Sequence, residues 1–198
     1  MPDYFPAFLD LRGRRALVVG GGLIGERKVR DLLACRAAVT VVSPEITLGL
    51  AELARRSVIA YRRRKFRAAD IRGCALVVAA TGVTAVDTAI AGAARRRHVL
   101  VNVVDRPALC DFIVPSVLRR GELQIAVSTG GRSPALAREI RRALESLFGP
   151  EYGDLVETVG AARRRARARA STLRGRMAAG ERVVAHALRA FKPRLLPE

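Results

Sequence analysis

The feature that most limits how this chain can fold is a glycine-rich turn near its start. Residues 17–25 read Leu-Val-Val-Gly-Gly-Gly-Leu-Ile-Gly, so an apolar strand runs into a G-x-G-x-x-G motif at Gly20, Gly22 and Gly25. An amphipathic stretch and a second apolar strand, Ala38–Ser43, follow. This order of strand, glycine turn, helix and strand is typical of a dinucleotide-binding unit.

Each glycine of the motif has its own expected role. Gly20 permits the tight turn, Gly22 lets the backbone approach a pyrophosphate, and Gly25 lets the helix pack closely on the strand. The backbone N–H groups and the positive dipole at the helix start would then hold the anion. Three adjacent glycines can also make a simple flexible turn, but the flanking strands and helix favour nucleotide binding.

Strands and helices alternate through the first half of the chain, which predicts a parallel, Rossmann-like α/β sheet. The predicted strands are Arg15–Gly20, Ala38–Ser43, Val58–Tyr61, Ala75–Ala80 and Val99–Val104. The predicted helices are Gly25–Arg36, Ile46–Arg56 and Thr84–Arg97. The fourth strand is apolar throughout, as expected of a strand covered on both faces.

The pattern changes after residue 110. An antiparallel strand pair is predicted over Asp111–Leu118 and Glu122–Ser128. A strong helix, Ala135–Phe148, follows, with Ser133 placed to cap it and Pro134 at its first position.

The rest of the chain is predicted to be helical, over Tyr152–Ala170 and Glu181–Phe191. Residues 162–170 contain five arginines, which would form a solvated helix face or an anion site. We therefore predict a nucleotide-binding domain (1–110), a strand pair with a helix (111–148) and a basic helical domain (149–198).

Composition excludes some classes of protein and leaves others open. The formal net charge of +18 first suggests a nucleic-acid-binding protein, but six Phe, three Tyr and no Trp offer few surfaces for base stacking. The charge could also reflect an arginine-rich composition in general, or attract a polyanionic small substrate. The N-terminus lacks a signal-peptide layout, no apolar run approaches the ~20 residues of a membrane span, and three widely spaced cysteines suit a reducing cytoplasm.

Two segments that follow strands are candidates for cofactor contacts, because cofactors bind at the carboxyl edge of such sheets. Ser43-Pro44-Glu45 stands where an acid usually contacts the adenosine ribose, and no arginine follows at once to receive a 2′-phosphate. This favours NAD, although the segment could simply start a helix. Thr81-Gly82 would let a cofactor approach the backbone, or would make an ordinary turn.

Asp105 follows the fifth predicted strand and would lie at the same edge. A carboxylate there can accept a proton from a substrate if it is positioned for that role. The alternative is an aspartate that starts the turn before Arg106-Pro107.

The run from Ser128 to Pro134 is similar to a second anion site. It comprises Ser128, Thr129, Gly130, Gly131, Arg132 and Ser133 ahead of a helix. A well-capped loop would explain Ser133 and Pro134 but not the two glycines preceded by two hydroxyls. His98 and His186 have no companion at metal-ligand spacing, so we expect no metal site.

Several segments together resemble the precorrin-2 dehydrogenase family, the NAD-binding part of siroheme synthases. They lie in order over about residues 5–148, and those near the end of the match are the most specific. The segments are Pro6–Leu11, Val18–Gly22 with Glu26–Lys28, Val39–Pro44, Asn102–Asp105, Cys110–Ser116 and Ser128–Pro134.

The resemblance implies an α/β, Rossmann-like homodimer that oxidises precorrin-2 to sirohydrochlorin with NAD, and some similar proteins also insert ferrous iron. It implies cofactor contacts by Leu23, Ile24, Pro44 and Glu45, and catalysis by Asp105. Ser128–Ser133 would help to hold the tetrapyrrole, whose carboxylates suit the positive charge. Two departures are Gly25, where the family commonly has alanine, and Thr81-Gly82, where it often has Thr-Asp.

Two other functions remain open from the sequence. A non-catalytic nucleotide-sensing domain, as in potassium-transport regulators, would explain Gly20–Gly25 but leave Asp105 and Ser128–Pro134 without a role. A nucleic-acid-binding protein would explain the charge but not the scarcity of aromatic residues.

Overall fold

A computed structural model describes residues 4–169 and 171–191. The chain divides into two compact units, one ending at Val114 and the other starting at Pro115. The predicted helical character of Ala170 and of residues 192–198 lies outside the described residues, as does the start of the N-terminal segment. The division of the second half into two domains stays a prediction.

The described residues up to Val114 form a five-stranded parallel sheet with the strand order β3-β2-β1-β4-β5. The strands are β1 (Arg15–Val19), β2 (Ala38–Val42), β3 (Ala60–Arg62), β4 (Leu76–Ala79) and β5 (Leu100–Val103). The Rossmann-like fold predicted from the sequence is confirmed. The chain moves outward from β1 to β3 and then crosses back to place β4 on the other side of β1, which creates the cleft where such sheets bind ligands.

Three helices cover the two faces of this sheet: α1 (Leu23–Ala34), α2 (Leu48–Arg55) and α3 (Thr84–Arg95). Val29 of α1 and Leu50 of α2 pack with Val18 and Val41 on one face. On the other face, α3 packs against Leu17 and its neighbours. Successive residues of β1 thus belong to different cores, because side chains alternate along a strand.

Several element boundaries differ from those predicted, and backbone contacts explain two of them. Helix α1 begins at Leu23 rather than Gly25, because Gly22 is its N-cap and the Glu26 N–H donates to the Gly22 carbonyl at 2.9 Å. Strand β3 begins at Ala60 rather than Val58. The reason is that the Val58 N–H donates to the carbonyl of Leu53 in α2 at 2.9 Å, so Val58 lies in the turn that follows this helix.

A buried aspartate anchors the crossing from β3 to β4. Asp70 is 4% exposed in a short 3-10 segment, Ala68–Ile71. Arg62 donates to its carboxylate at 2.7 Å and Arg64 at 2.6 Å. The hydrogen bond from Arg64 is the main cause that lowers the pKa of Asp70 to about 2. The sequence analysis did not foresee this ion pair.

In its described residues, the second unit contains an antiparallel pair, β6 (Ser116–Arg120) and β7 (Leu123–Val127), and three helices, α4 (Pro134–Leu147), α5 (Glu151–Arg169) and α6 (Leu173–Phe191). The strand pair is confirmed, but the prediction that its first strand starts at Asp111 is wrong. Helix α6 starts before the predicted Glu181 because the Thr172 hydroxyl caps it, accepting from the Gly175 N–H at 3.1 Å.

Candidate cofactor and catalytic site

The glycine turn between β1 and α1 contains two kinds of glycine. Gly20 has a φ of +111°, and a Cβ on it would lie 2.2 Å from the carbonyl oxygen of Ala80. A Cβ on Gly21 would lie 2.1 Å from the carbonyl oxygen of Glu45, and one on Gly25 would lie 2.2 Å from that of Gly20. Neighbouring backbone therefore occupies the space of any side chain at these three positions. Sequence reasoning missed Gly21, although a third consecutive glycine was visible.

Gly22 is different, since no atom of the described residues lies within 4 Å of where its Cβ would be. It caps α1 with extended backbone, and within the described part of the chain no side chain bonds to the first N–H groups of the helix. Helices leave their first N–H groups without partners inside the helix. The start of α1 is therefore suited to an anion approaching Gly22.

A cavity of about 980 Å³ adjoins this turn at the carboxyl ends of β1, β2 and β4. The glycine turn forms one wall of the cavity, and three further segments complete it. These are residues 42–47 after β2, residues 65–66 after β3, and part of residues 80–89 from the end of β4 into α3. The volume is within the ~300–1,000 Å³ typical of ligand sites.

The structure brings most of the predicted cofactor residues to this cavity. Those that line it are Gly20, Gly22, Ser43, Pro44, Glu45 and Thr81. Those that lie outside its lining are Leu23, Ile24, Gly25 and Gly82. Leu23 and Ile24 are exposed at the start of α1, and Gly25 is buried against Gly20. Lys65 and Phe66 also line the cavity, and sequence reasoning missed them.

The Ser43–Glu45 segment is held by side chains on both sides. The Tyr61 hydroxyl donates to the Ser43 carbonyl at 3.1 Å. The Thr47 hydroxyl donates to the Glu26 carboxylate of α1 at 2.5 Å, and the Thr47 N–H donates to the Gly21 carbonyl at 3.0 Å. The bond from Thr47, and then that from Arg30, lowers the pKa of Glu26. These contacts fix the segment against the glycine turn.

Asp105 lies in a tight turn directly after β5. The Arg106 N–H donates to the Val103 carbonyl at 3.2 Å, and Asp105 has a φ of +57°, a left-handed conformation that side chains other than Asn and Asp rarely adopt. The carboxylate is exposed. The Val104 N–H donates to the Ala79 carbonyl at 2.9 Å, so this turn adjoins the end of β4, where Ala80 and Thr81 line the cavity.

The segment after the turn runs along the edge of β5. The Asp111 N–H donates to the Val101 carbonyl at 2.8 Å, and the Asp111 carboxylate accepts from the Val101 N–H at 3.1 Å. Asn102 donates to the Phe112 carbonyl at 3.0 Å. Asp111 is therefore committed to β5, which explains why the strand predicted to start there begins later.

The thiol of Cys110 closes the loop that carries Asp105. Its sulfur accepts from the Val103 N–H at 3.2 Å and lies 3.4 Å from the Arg106 carbonyl oxygen, to which the S–H can donate. Burial raises the pKa of Cys110, so the thiol stays protonated. These two contacts of Cys110 fix the residues on either side of Asp105.

Lys28 of α1 is a further cation near Asp105. Burial, with help from the neighbouring Arg27, lowers the pKa of Lys28, while the carboxylates of Asp31 and Asp105 raise it. The half-buried ammonium group therefore lies within electrostatic range of Asp105. Sequence reasoning missed this lysine, although it stands within the Glu26-Arg27-Lys28 segment.

In the second unit, the predicted anion site at Ser128–Ser133 forms the loop before α4. The hydroxyls of Ser128, Thr129 and Ser133 accept from the N–H groups of Gly130, Ser133 and Leu136, at 3.1, 3.0 and 3.2 Å. The predicted cap by Ser133 and the position of Pro134 are confirmed. These N–H groups are therefore already paired within the loop, while the hydroxyl protons can still be donated to a ligand.

Two features are absent from the described residues. No three His, Cys, Asp or Glu side chains come together there in a way that could hold a metal ion. No helix within residues 4–169 and 171–191 is long and apolar enough to span a lipid bilayer.

Comparison with known proteins agrees with this geometry. The model of a family described as NAD(P)-binding matches residues 7–116, and that of the sirohaem biosynthesis protein central domain matches residues 120–147. The chain belongs to the siroheme synthase NAD(P)-binding family. The resemblance noted in the sequence is therefore confirmed.

Members of the family include siroheme synthases from several bacteria. The chain is 45% identical to that of Methylococcus capsulatus over 83% of its own length and 35% of the relative. It is 47% identical to that of Nitrosomonas europaea over 78% of its own length and 33% of the relative. It is 39% identical to siroheme synthase 1 of Klebsiella pneumoniae over 91% of its own length and 38% of the relative. The chain thus spans about a third of the length of these relatives.

A solved structure shares the fold. It is that of SirC, a precorrin-2 dehydrogenase, with a TM-score of 0.70 over 94% of this chain and 100% of SirC. The sequence identity is 24%. SirC and this chain thus share a fold.

Proposed function

We propose that this chain is a precorrin-2 dehydrogenase that oxidises precorrin-2 to sirohydrochlorin with NAD. In this reaction the substrate loses two electrons and two protons: a hydride goes to the cofactor, and a proton goes to a base and then to water. The family supports this proposal, as does the similarity of the chain to siroheme synthases and to the precorrin-2 dehydrogenase SirC. The alternative is a domain that senses the nucleotide without catalysis.

The observation that carries the proposal is the arrangement at one edge of the sheet. The open space over Gly22 suits a pyrophosphate, as does the start of α1, where no side chain of the described residues caps the helix. The Asp105 turn is bonded to the end of β4, whose next residues line the same cavity. A purely nucleotide-binding domain would need the first feature but not an exposed carboxylate on a left-handed turn beside it.

The chain's own residues would divide the work as follows. When bound, the nicotinamide supplies the hydride acceptor. Gly22 and the first N–H groups of α1 hold the diphosphate, and Ser43–Glu45 contacts the adenosine half. Asp105 accepts the substrate proton as a general base. The Lys28 ammonium group lies within electrostatic range of the Asp105 carboxylate.

Asp105→Asn is the sharpest test of this proposal. Asparagine tolerates the left-handed conformation and keeps the shape of the side chain, so the turn should survive. We expect kcat to fall ~10²–10⁴-fold, as for loss of a general base, with NAD affinity unchanged. The assay is anaerobic incubation with NAD and precorrin-2, followed by the absorbance of NADH and sirohydrochlorin.

Asp31→Asn is the matched control, since Asp31 is an exposed carboxylate that also acts on Lys28. It should leave turnover near normal. Near-normal turnover by a folded Asp105→Asn protein would remove Asp105 from the reaction. NAD binding without any turnover by the unaltered chain would favour the sensing domain.

We also propose that NAD is preferred to NADP. Glu45 lines the cavity and would repel a 2′-phosphate, whereas Lys65, across the same cavity lining, would attract one. Titration calorimetry should therefore show that Glu45→Ala improves NADP affinity and that adding Lys65→Ala reverses the gain. Equal affinity of the unaltered protein for both cofactors would contradict the preference.

A homodimer formed through the strand pair and α4 is a further part of the proposal. Leu136, Ile140 and Leu147 lie on one side of α4 and are 52%, 40% and 37% exposed, although the helix packs against β6 and β7. An apolar stripe of this kind is typical of a helix that binds a partner. Sedimentation should show a dimer, and Ile140→Asp should shift it to monomer. The exposed polar change Arg142→Gln is the control.

Ser128–Ser133 and the positive charge would serve the substrate. The loop offers three hydroxyl donors and Arg132 to the carboxylates of precorrin-2. Because exposed charges are screened by salt, kcat/KM should fall as salt rises while kcat changes less. Iron insertion and a cytoplasmic location stay predictions, and adding Fe²⁺ to the same assay would test the first.

A further inference from the structure

Asp87 is a buried carboxylate for which the proposed reaction has no direct use. It lies in the first turn of α3 and is 2% exposed. A carboxylate buried to this degree needs hydrogen bonds or an opposite charge. The Thr81 hydroxyl donates to it at 2.6 Å, and Arg106 Nε lies 4.0 Å from its second oxygen.

Arg106 joins two segments that are distant in sequence. It follows Asp105 directly, and its backbone N–H closes the turn on the Val103 carbonyl. Its guanidinium group donates to the Thr84 hydroxyl at 2.5 Å, in addition to facing Asp87. The Arg106 side chain therefore runs from the Asp105 turn to the start of α3.

A continuous set of contacts results. Thr81 lines the nucleotide cavity and donates to Asp87, Asp87 faces Arg106, and Arg106 is bonded through the chain to Asp105. Cys110 holds the same turn from the opposite side. Asp105 itself is exposed and left-handed, a conformation that costs energy and persists only where surrounding contacts impose it.

We propose that the Asp87–Arg106 ion pair positions Asp105 relative to the nucleotide cavity. This inference rests on the proposed function, because it assigns a purpose to the pair only if Asp105 takes part in the reaction. Arg106 and Asp87 are positioning residues, since they act through the turn. A displacement of about 1 Å at a reacting group can cost ~10²-fold in rate, so a contact that fixes the turn can affect turnover strongly.

The first test compares Arg106→Ala, Asp87→Asn and the double variant. Asp87→Asn keeps an oxygen for the Thr81 hydroxyl and removes only the charge. We expect each single variant to lower kcat by about 10- to 100-fold and to leave NAD affinity, measured by calorimetry, nearly unchanged. The double variant should be little worse than Arg106→Ala alone, because Asp87→Asn removes an ion pair that Arg106→Ala has already removed. Arg106→Lys should recover part of the loss.

The second test does not depend on turnover. In the ligand-free protein, hydrogen exchange of the backbone amide at position 106 should become about tenfold faster in Arg106→Ala and in Asp87→Asn. Exchange of the Val18 amide in the sheet should not change. Arg55→Ala is the matched control, because it removes an arginine from an exposed pair with Glu52 in the same unit. It should alter neither exchange nor kcat.

The outcomes separate this inference from the proposed function. Normal kcat in folded Arg106→Ala, or purely additive losses in the double variant, would overturn the positioning role while leaving the reaction intact. Unchanged exchange of the Arg106 amide would overturn it as well. An unaltered protein without turnover, but with the expected exchange, would refute the proposed function and still show that the pair orders the turn.

Discussion

The glycine-containing turns before α1 and α4 differ in how their backbone N–H groups are bonded. Before α1, Gly22 is the N-cap, and among the described residues no side chain caps the helix. Before α4, the hydroxyls of Ser128, Thr129 and Ser133 each accept a bond from an N–H of the same segment. The first turn is left open to a ligand, whereas the second is largely satisfied by itself.

The difference shows that glycines before a helix do not by themselves make an anion site. What matters is whether the N–H groups already have partners and whether space is open above them. At Gly22 both conditions are met. At Ser128–Ser133 a carboxylate would have to be bound by hydroxyl protons and Arg132 instead.

The largest effect should come from Gly20→Ala compared with Gly130→Ala. Both glycines have positive φ, but only Gly20 has a backbone oxygen 2.2 Å from where Cβ would be, and Gly130 has no described atom within 4 Å. We expect Gly20→Ala to lower the free energy of unfolding by about 3 kcal/mol or more and Gly130→Ala by about 1 kcal/mol. Urea denaturation measures both. Equal losses would show that crowding at Gly20 is relieved by movement.

A comparison of Gly22→Asp with Gly131→Asp tests the turn before α1, whose N–H groups are open to a ligand, against the turn before α4, whose N–H groups are already bonded. Neither Cβ would meet a described atom within 4 Å, so both proteins should fold, with Gly131→Asp losing about 1 kcal/mol of stability because Gly131 has a φ of +83°. The added carboxylate at Gly22 should repel the diphosphate and weaken NAD binding by about 100-fold or more, or ~2.7 kcal/mol. Gly131→Asp should leave NAD affinity unchanged. Calorimetry that shows unaltered affinity for folded Gly22→Asp would mean that the cofactor site is elsewhere.

Lowering the pH should reduce the stability of the first unit, which contains the Gly22 turn, because the buried Asp70 becomes protonated. Its pKa of about 2 is below the unfolded value of 3.8, so its contribution is full above pH 4 and disappears as the pH falls to 2. The carboxylate is almost fully buried, and the contribution is ~2 kcal/mol. Unaltered protein should therefore exceed Asp70→Asn in stability at pH 6, with the difference shrinking below pH 4. A pH-independent difference would exclude the ionised pair as its cause.

The smallest effect should come from exchanging the caps of the two helices. Ser133→Ala removes the cap of α4 and should cost ~1 kcal/mol of stability. Gly22→Ser adds a cap to α1, where there is room for it, and should stabilise the ligand-free protein by a few tenths of a kcal/mol. The same serine should weaken NAD binding, because its hydroxyl competes for the N–H groups. Tighter NAD binding by Gly22→Ser would refute this account of the first turn.

Much of the fold could be predicted because its signals are local. The apolar strands, the glycine turn and the cap at Ser133 all depend on residues within a few positions of one another. Predicted boundaries were wrong where a backbone hydrogen bond continued the turn after a helix, as at Val58. They were also wrong where a side chain bonded a segment to another strand, as Asp111 does to β5. Such contacts are decided by what lies nearby in space, which local periodicity does not record.

The sequence by itself determined the order of strands and helices, the position of the nucleotide turn, and Asp105 at the end of a strand. The tertiary structure decided which segments meet. Because β4 lies beside β1, Thr81 shares a cavity with Glu45 and Lys65, and the Asp105 turn is bonded to the end of β4. Gly21, Asp87 and Arg106 acquired their roles only then, since each depends on a neighbour more than 15 residues away whose place is set by the packing of the whole sheet.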